Sequence, residues 1–539
     1  MRPLFTLVCW FAVLFGAVPA FAQALDRPAL VAGLCGNAAA GADAGARLLA
    51  GAETATRDDL AWGLTVAQAA LNRQLKCQTG TAAAVIDDGV APRDAATLAP
   101  ASLPAGARTP VLSLRNRGAL DLAQAALTLR IGADAGVRRG ALGVLTRRAG
   151  DVPLAVFEQA AAAETDTGLK ADIENTAAIA ALNSSDMGKR MEALDRLSAT
   201  RTRRVQTQIA ALQQDPAYTT DGAFKVAVDT ALKRVEGGIR IGNILAALYN
   251  GLSFASILFM AAIGLSIIFG LMGVINLAQG ELIMIGAYVT WVTQEVLRAT
   301  LPGLVDYYLL IAIVPAFLVT ALIGVALEVT ILRHLYRRPL MSLLATWAIS
   351  LFLINAVRLG FGTQNLQFAT PYYVAGGVPV VGDFIVTWNR LFAIAFAIVT
   401  LGLTWFLVQR TGLGLDIRAV TQNRDMAGCI GIPTRRVDMM AFGLGSGLAG
   451  LAGLSLSPIY NVNPQMGSNF IIDAFMVVVL GGVGTIGGTL IAALGVGQIN
   501  VLIEPFWGAV AAKVIVLFLI IGFLQFRPEG LFSAKGRRR

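Results

Sequence analysis

The chain has 539 residues, of which 56% are apolar and 14% charged, and its mean hydropathy is +0.65. That composition belongs to an integral membrane protein and excludes a wholly soluble one. The net charge of +9 calls for no nucleic acid, because basic residues gather at membrane edges.

Charge is spread unevenly. Residues 1–238 hold 48 of the 77 Asp, Glu, Lys and Arg residues, and residues 239–539 hold 29. The first part is therefore read as watery and the second as lipidic. Residues 1–22 read as a secretory signal peptide. Arg2 supplies the positive start, Leu4 to Val18 an apolar core too short to span comfortably, and Ala20-Phe-Ala22 the cleavage pattern. The alternative is a retained anchor. Cys9 lies inside the apolar core and is ill placed to be a lipoprotein cysteine. Cleavage after Ala22 would put residues 23–238 in the periplasm. Cys35 and Cys77 are the only cysteines of that domain and can form one disulfide in an oxidising compartment. Cys429 is expected to be cytoplasmic and free.

Within this domain, Leu60 to Leu75 looks helical and Gly89 to Pro110 looks like a loop. Residues 113–235 are helical by pattern. Val137-Arg-Arg-Gly-Ala-Leu142 resembles Lys189-Arg-Met-Glu-Ala-Leu194, with the amphipathic segment Leu169 to Leu182 between them. That suggests a stacked array of the HEAT type; an unrelated helical bundle fits equally well. There is no His, no nucleophile motif and no metal-ligand cluster in residues 23–238, so nothing argues for an enzyme or a metal site.

From 239 the pattern changes to that of a polytopic membrane domain. Nine apolar passes are expected, near 244–270, 277–297, 308–332, 340–358, 390–409, 437–456, 470–487, 489–503 and 509–526, some of them broken by glycine. The fold class is thus all-α, with eight or nine transmembrane or broken helices behind a secreted, mostly helical domain. With the first domain outside, Arg333, Arg337, Arg338, Arg410, Arg418, Arg424, Arg435, Arg436 and the tail Arg527 to Arg539 fall inside. The loops 298–307, 359–389 and 457–469 fall outside and hold almost no Lys or Arg. The positive-inside rule and the signal peptide agree.

Three segments depart from plain lipid-facing helix. In Gly270 to Glu281, the polar Asn276, Gln279 and Glu281 open an apolar run. Polar groups at membrane depth are expensive and usually face a cavity or a partner helix, so these three are read as lining a substrate path. The plainer reading makes them a helix cap, with Glu281 in a favourable first turn. Thr346, Asn355 and Asp473 are further path candidates, and Glu328 and Glu504 further buried polar groups. His334, the single histidine, sits in the basic edge Arg333-His-Leu-Tyr-Arg-Arg and reads as solvated.

The second segment, Thr411 to Asp438, is a polar island. Ala419, Asn423, Ala427 and Gly431 recur every four residues, so one helix would place them on a single small-residue stripe beside Arg418. It reads as a seat for another protein; the bland alternative is an ordinary positive loop. The third is Asp473 to Thr489, where Gly481, Gly482, Gly484, Gly487 and Gly488 read as a sharp reversal or a broken helix. It lacks the GxxxxGK[ST] pattern of a phosphate loop, and no such motif occurs in the chain. If the protein pumps, another chain hydrolyses the nucleotide.

These same segments carry a resemblance. Gly270–Val289, Arg337–Leu351, Arg410–Ile432, Asp473–Leu490 and the tail Phe526-Arg-Pro-Glu-Gly-Leu-Phe532 resemble, in order and spacing, the permease subunits of branched-chain amino acid-type ABC importers. The resemblance covers about residues 240–532, and the secreted extension ahead of it resembles the urea branch of that family. It implies a bacterial inner-membrane location, a second homologous permease, two cytoplasmic ATPases docked on the loop matching 411–436, and a periplasmic solute-binding protein. It implies no cofactor on this chain, with ATP used by the partner subunits. Many relatives carry His in an NFAHGE-like motif where this chain has Gln279; Gln keeps a donor and an acceptor but cannot titrate. The expected function is import of urea or a small amide. The alternatives are an amino-acid importer of the same family, a passive channel and, last, a membrane-anchored sensor.

Overall fold

The computed structural model describes residues 25–532 except 79–82, 90, 105 and 337. The signal-peptide reading, Arg337 and the tail Lys535 to Arg539 lie outside the described residues. The chain divides into two compact units, one ending at Gly238 and the other beginning at Ile239.

The first unit is a succession of short helices, several of them opened by a polar cap. Asn37, Thr56, Ser113 and Asp166 accept from first-turn amides that have no partner within their helices. Its core gathers Leu48, Trp62, Leu120, Leu127 and Phe157, all essentially buried, and Trp62 Nε1 donates to Ala95 O at 2.9 Å. The unit is not all-α. Leu75–Cys77, Ala84–Ile86 and Arg93–Asp94 form a small antiparallel sheet in that order. Part of it lies in the stretch read as loop, because strands of two or three residues carry too little alternation to be recognised. Cys35 and Cys77 are bonded, with Cα atoms 5.6 Å apart, and tie the end of the first helix to the first strand.

From Leu114 onward helices pack mainly on neighbours in sequence. The two similar segments occupy matching places, in helices Ala135–Arg147 and Met187–Ser198. Their second residues play the same part: Arg138 pairs with Glu164 at 2.8 Å, and Arg190 with Asp215 at 2.7 Å. In each case a largely buried arginine reaches an acid 25 or 26 residues downstream. The internal resemblance thus marks a recurring structural joint.

Among the described residues of the second unit, six helices are long and apolar enough to cross a membrane, the region before Met272 among them. The expected nine passes are reduced for three reasons. Gln279–Thr300 has the length but carries Glu281, Gln294, Glu295 and Arg298. Met466–Gly481 has only 16 residues. The passes expected at 489–503 and 509–526 run together as Ile486–Phe526, bent at Gly508 (φ 79°) three residues after Pro505. A hairpin, Gly377–Val381 with Phe384–Thr387, is a second departure from all-α.

Thr434–Leu456 is the buried spine of this unit, packed on Ile313–Thr330 and Gln279–Thr300. Its approach is close at Gly450, where a Cβ would run into Thr320 and the carbonyl of Ala316. Without a hydrophobic driving force between helices in lipid, such close backbone packing is what holds them together.

Candidate functional site

The helix before Gly273 stops at Met272, and the backbone is irregular until a new helix begins at Gln279. Asn276 closes this gap. Its Oδ1 accepts from Ala278 N at 3.1 Å, and its Nδ2 donates to Gln279 Oε1 at 3.3 Å. Gln279 in turn donates to Gly445 O on the spine at 2.9 Å. Thr346 Oγ1 accepts from Leu277 N at 3.3 Å, so the third pass fixes the same loop. All three side chains are buried.

One turn further, Glu281 Oε1 accepts from Ser350 Oγ at 2.9 Å and from Ser468 Oγ at 3.0 Å. Its Oε2 is buried with no partner among the described residues. A buried acceptor left open costs free energy, so this oxygen is available to a further donor. The structure therefore brings Asn276, Gln279, Glu281 and Thr346 together. Asn276 closes the turn ahead of the helix without capping it, and Glu281 sits in the helix's first turn.

Asp473 lies five residues beyond Ser468 on the same helix, almost wholly buried, and forms an ion pair with Lys513 at 3.1 Å. Lys513 also donates to Asn469 O at 2.8 Å. Asn355 does not join the cluster. It is exposed on the outer face of its helix and donates to Leu351 O at 2.8 Å, within its own turn. Helical spacing puts Asn355 on the face of Leu351 and Phe352, opposite Thr346 and Ser350.

The single stripe expected on the polar island is corrected. Gly412–Gln422 ends at Asn423, whose backbone is extended (φ −156°), and a new helix runs Arg424–Cys429. Asn423 caps it, accepting from Met426 N at 3.0 Å. Asn and Asp compete with helix in this way, and here the competition breaks the four-residue period. Ala427 is buried against the unit itself and Ala419 is half-buried. Arg418 is engaged with Val408 O and with Gln409. The segment exposes Met426, Cys429, Ile430 and Gly431 together with the charged Asp425, Arg435 and Arg436.

A buried ionic network fixes this segment. Arg424 pairs with Asp438 of the spine and stacks over Tyr336, its Cζ 5.4 Å from the ring centre. Tyr336 Oη donates to Glu328 Oε1 at 2.8 Å, and Arg333 Nη2 lies 3.1 Å from Glu328 Oε2.

The glycine-rich segment reverses the chain between Met466–Gly481 and Ile486–Phe526. Gly482 (φ 95°) and Gly484 (φ 79°) take conformations that a side chain disfavours. Gly481 and Gly488 face each other backbone to backbone, while Gly487 is open. The tail seals the turn, with Leu531 N donating to Leu480 O at 2.8 Å.

Ser350, Ser468, Lys513, Tyr336 and Asp438 are site residues that sequence reasoning missed. Lys513 had a signal: it is a lone cation in an apolar run, as Asp473 is a lone anion in another. The serines had none, since hydroxyls are common in membrane helices.

A profile of the family described as "branched-chain amino acid transport system / permease component" matches residues 247–524. Among curated proteins the chain is similar to the high-affinity branched-chain amino acid transport system permease protein BraD of Pseudomonas aeruginosa, 30% identical over 54% of this chain and 97% of the relative. It is similar to the corresponding protein LivH of Escherichia coli, 30% identical over 54% of this chain and 95% of the relative. The ribose import permease protein RbsC of Bacillus subtilis is 29% identical over 31% of this chain and 51% of that protein. No solved structure matches.

Proposed function

This chain belongs to the branched-chain amino acid transport permease family, and on that premise we propose that it carries urea or a similarly small, uncharged amide. As a permease subunit of an ABC importer it is a transporter component and not an enzyme, and it binds no cofactor of its own. It acts in a membrane, with several spans, in the company of a partner permease, ATPases and a solute-binding protein.

The observation that supports the substrate reading is the chemistry of the buried cluster. Asn276, Gln279, Thr346 and two serines are neutral donors and acceptors, Glu281 presents an open carboxylate oxygen, and Lys513, the cation that reaches the helix of Ser468, pairs with Asp473. An amino acid's carboxylate would meet Glu281 with no free cation opposite it. A urea N–H suits that oxygen. The first unit lies outside the residues the family profile matches, and its resemblance to the extension of the urea branch favours the same reading. The second reading, an amino acid, is favoured by the names of BraD and LivH.

In this proposal residues 1–22 are the signal peptide, the first unit is periplasmic, and the ATPases dock on the cytoplasmic face made by Met426, Cys429, Ile430 and Gly431. The test is uptake of labelled urea at micromolar concentration by cells with and without this chain. Unchanged high-affinity uptake in the deletion strain refutes the substrate, and uptake by the purified subunit without ATPases refutes the pump. A thermal shift of the cognate binding protein by leucine and not by urea selects the second reading.

A further inference from the structure

We propose that the pocket between residues 365–370 and 457–461 is a solute-binding site on the outer side of the permease, built for an uncharged polar molecule of the amide class. The inference rests on the importer reading above and extends it to residues far from the buried cluster.

The pocket is a constructed feature of about 440 Å³, within the range of small-ligand sites. Leu366 N donates to Val462 O at 2.9 Å, which clamps the two loops together. Ala369 N donates to Gln294 Oε1 at 2.9 Å, and Gln294 is fully buried on the helix that also carries Glu281. Phe368 stacks on the ring of Tyr308, their centres 6.1 Å apart. The loops are therefore held at three points.

The lining is polar and uncharged. Asn365, Gln367, Thr370, Tyr460 and Asn461 offer amides and hydroxyls, and no Asp, Glu, Lys, Arg or His is among the lining residues. Tyr308 completes it. Its side chain is 1% exposed, and its hydroxyl has no hydrogen-bond partner among the described residues. A buried hydroxyl without a partner is costly, and an amide carbonyl would satisfy it. Asn and Gln side-chain oxygens would take the N–H groups of the same molecule. A zwitterion would leave both of its charges without a counter-ion here.

The position suits entry. Tyr308 precedes the helix Ile313–Thr330, and the arginine-rich segment at Arg333 follows it. Eighteen helical residues separate the two by about 27 Å, nearly the thickness of a bilayer core. The positive-inside rule then assigns the pocket to the outer side. Gln294 and Glu281 share one helix, about 20 Å apart at 1.5 Å per residue, so the wall of the pocket leads to the buried cluster.

The test uses the complete transporter in proteoliposomes, with the binding protein present and labelled urea as the probe. Tyr308→Phe removes one oxygen and keeps the ring, so folding is preserved. The expected result is a fall in uptake at saturating binding protein of roughly three- to tenfold, the worth of one hydrogen bond. Gln367→Lys, at an exposed position, is expected to slow urea further. Wild-type uptake in both variants overturns the site. A change confined to the concentration of binding protein needed for half-maximal rate also overturns it, and makes the pocket a protein-docking surface. If the wild-type transporter carries leucine and not urea, the urea reading and the uncharged class fail together. Leucine uptake by Tyr308→Phe then decides separately whether the pocket lies on the solute's path.

Discussion

Removing Arg424 should loosen the segment proposed to dock the ATPases without unfolding the membrane bundle. Arg424 holds Asp438, whose side chain is 2% exposed, and stacks on Tyr336, which in turn reaches Glu328 at 0% exposure. Taking one partner from a buried ion pair costs about 3–5 kcal/mol, because the remaining charge is stranded. Arg424 itself is 38% exposed, so water recovers part of that, and about 2–3 kcal/mol is the appropriate expectation for Arg424→Ala. If that free energy holds residues 424–430 against the spine, their amide exchange in the assembled transporter should quicken roughly 30- to 150-fold, at 1.4 kcal/mol per decade. Helices Gln279–Thr300 and Thr434–Leu456 should keep their protection.

Function should change in a distinctive way. The exposed face of Met426, Cys429 and Ile430 is untouched, so ATPases should still co-purify with Arg424→Ala. Solute moved per ATP hydrolysed should fall, since the spine that accepts from Arg424 at Asp438 also accepts from Gln279 at Gly445. Arg424→Lys should restore part of the coupling: it returns a charge near Asp438 but not the planar stack on Tyr336. Unchanged exchange in 424–430, together with wild-type uptake per ATP, would refute the reasoning.

Three further expectations concern stability. The Arg138 guanidinium beside Glu164 holds its carboxyl at about 2, below its ordinary value of about 4.3. A depressed carboxyl contributes stability that is present above the unfolded value and lost as pH falls through the folded one. Exchange protection of Ala135–Arg147 and Leu154–Ala163 should therefore decline between about pH 4.5 and 2, and Arg138→Ala should lower the protection at neutral pH and flatten that decline. A pH profile identical in the variant would show that the pair does not act this way. Reducing the Cys35–Cys77 bond, which closes a 42-residue separation, should cost the first unit about 4 kcal/mol on chain-entropy grounds, read as a lower denaturant midpoint for its near-ultraviolet signal. An unchanged midpoint would refute it. Gly482→Ala places a Cβ against the Phe532 carbonyl at φ 95° and should reduce the yield of folded, monodisperse protein, whereas Gly487→Ala, with open space around it, should not. Equal yields would show that the reversal tolerates a side chain.

How much of this could be read from the chain follows from the range of each signal. Membrane passes are legible because about 20 residues of composition add up to one decision, and even then the count fails where polar residues or a bend interrupt the sum, as at Gln279–Thr300 and Gly508. The helix break after Met272 was legible from Asn276 and its glycines, but Ser350 and Ser468 were not, since their meeting at Glu281 spans 69 and 187 residues and leaves no local pattern. The polar island shows the opposite failure. A four-residue period from Ala419 to Gly431 is a local signal that assumes one helix, and a single cap at Asn423 voids it. The cap changes more than geometry: it turns Ala427 inward and Met426 and Ile430 outward, so the surface available to a partner sets these apolar side chains among the exposed Asp425, Arg435 and Arg436 and is not the small-residue stripe. Charge did survive the break. Arg424, Arg333 and Asp438 were visible as the residues of a membrane edge, but only the fold shows that they bind one another, so the arginines there act in part as internal braces. Since the brace ends on the spine and the spine ends at the loops around Ser457, the docking face, the buried cluster and the outer pocket are all attached to Thr434–Leu456. A rigid helix in that position would transmit a displacement at Asp438 to Gly445 within two turns, which is why the Arg424 variants, more than any change in the cluster itself, separate docking from transport.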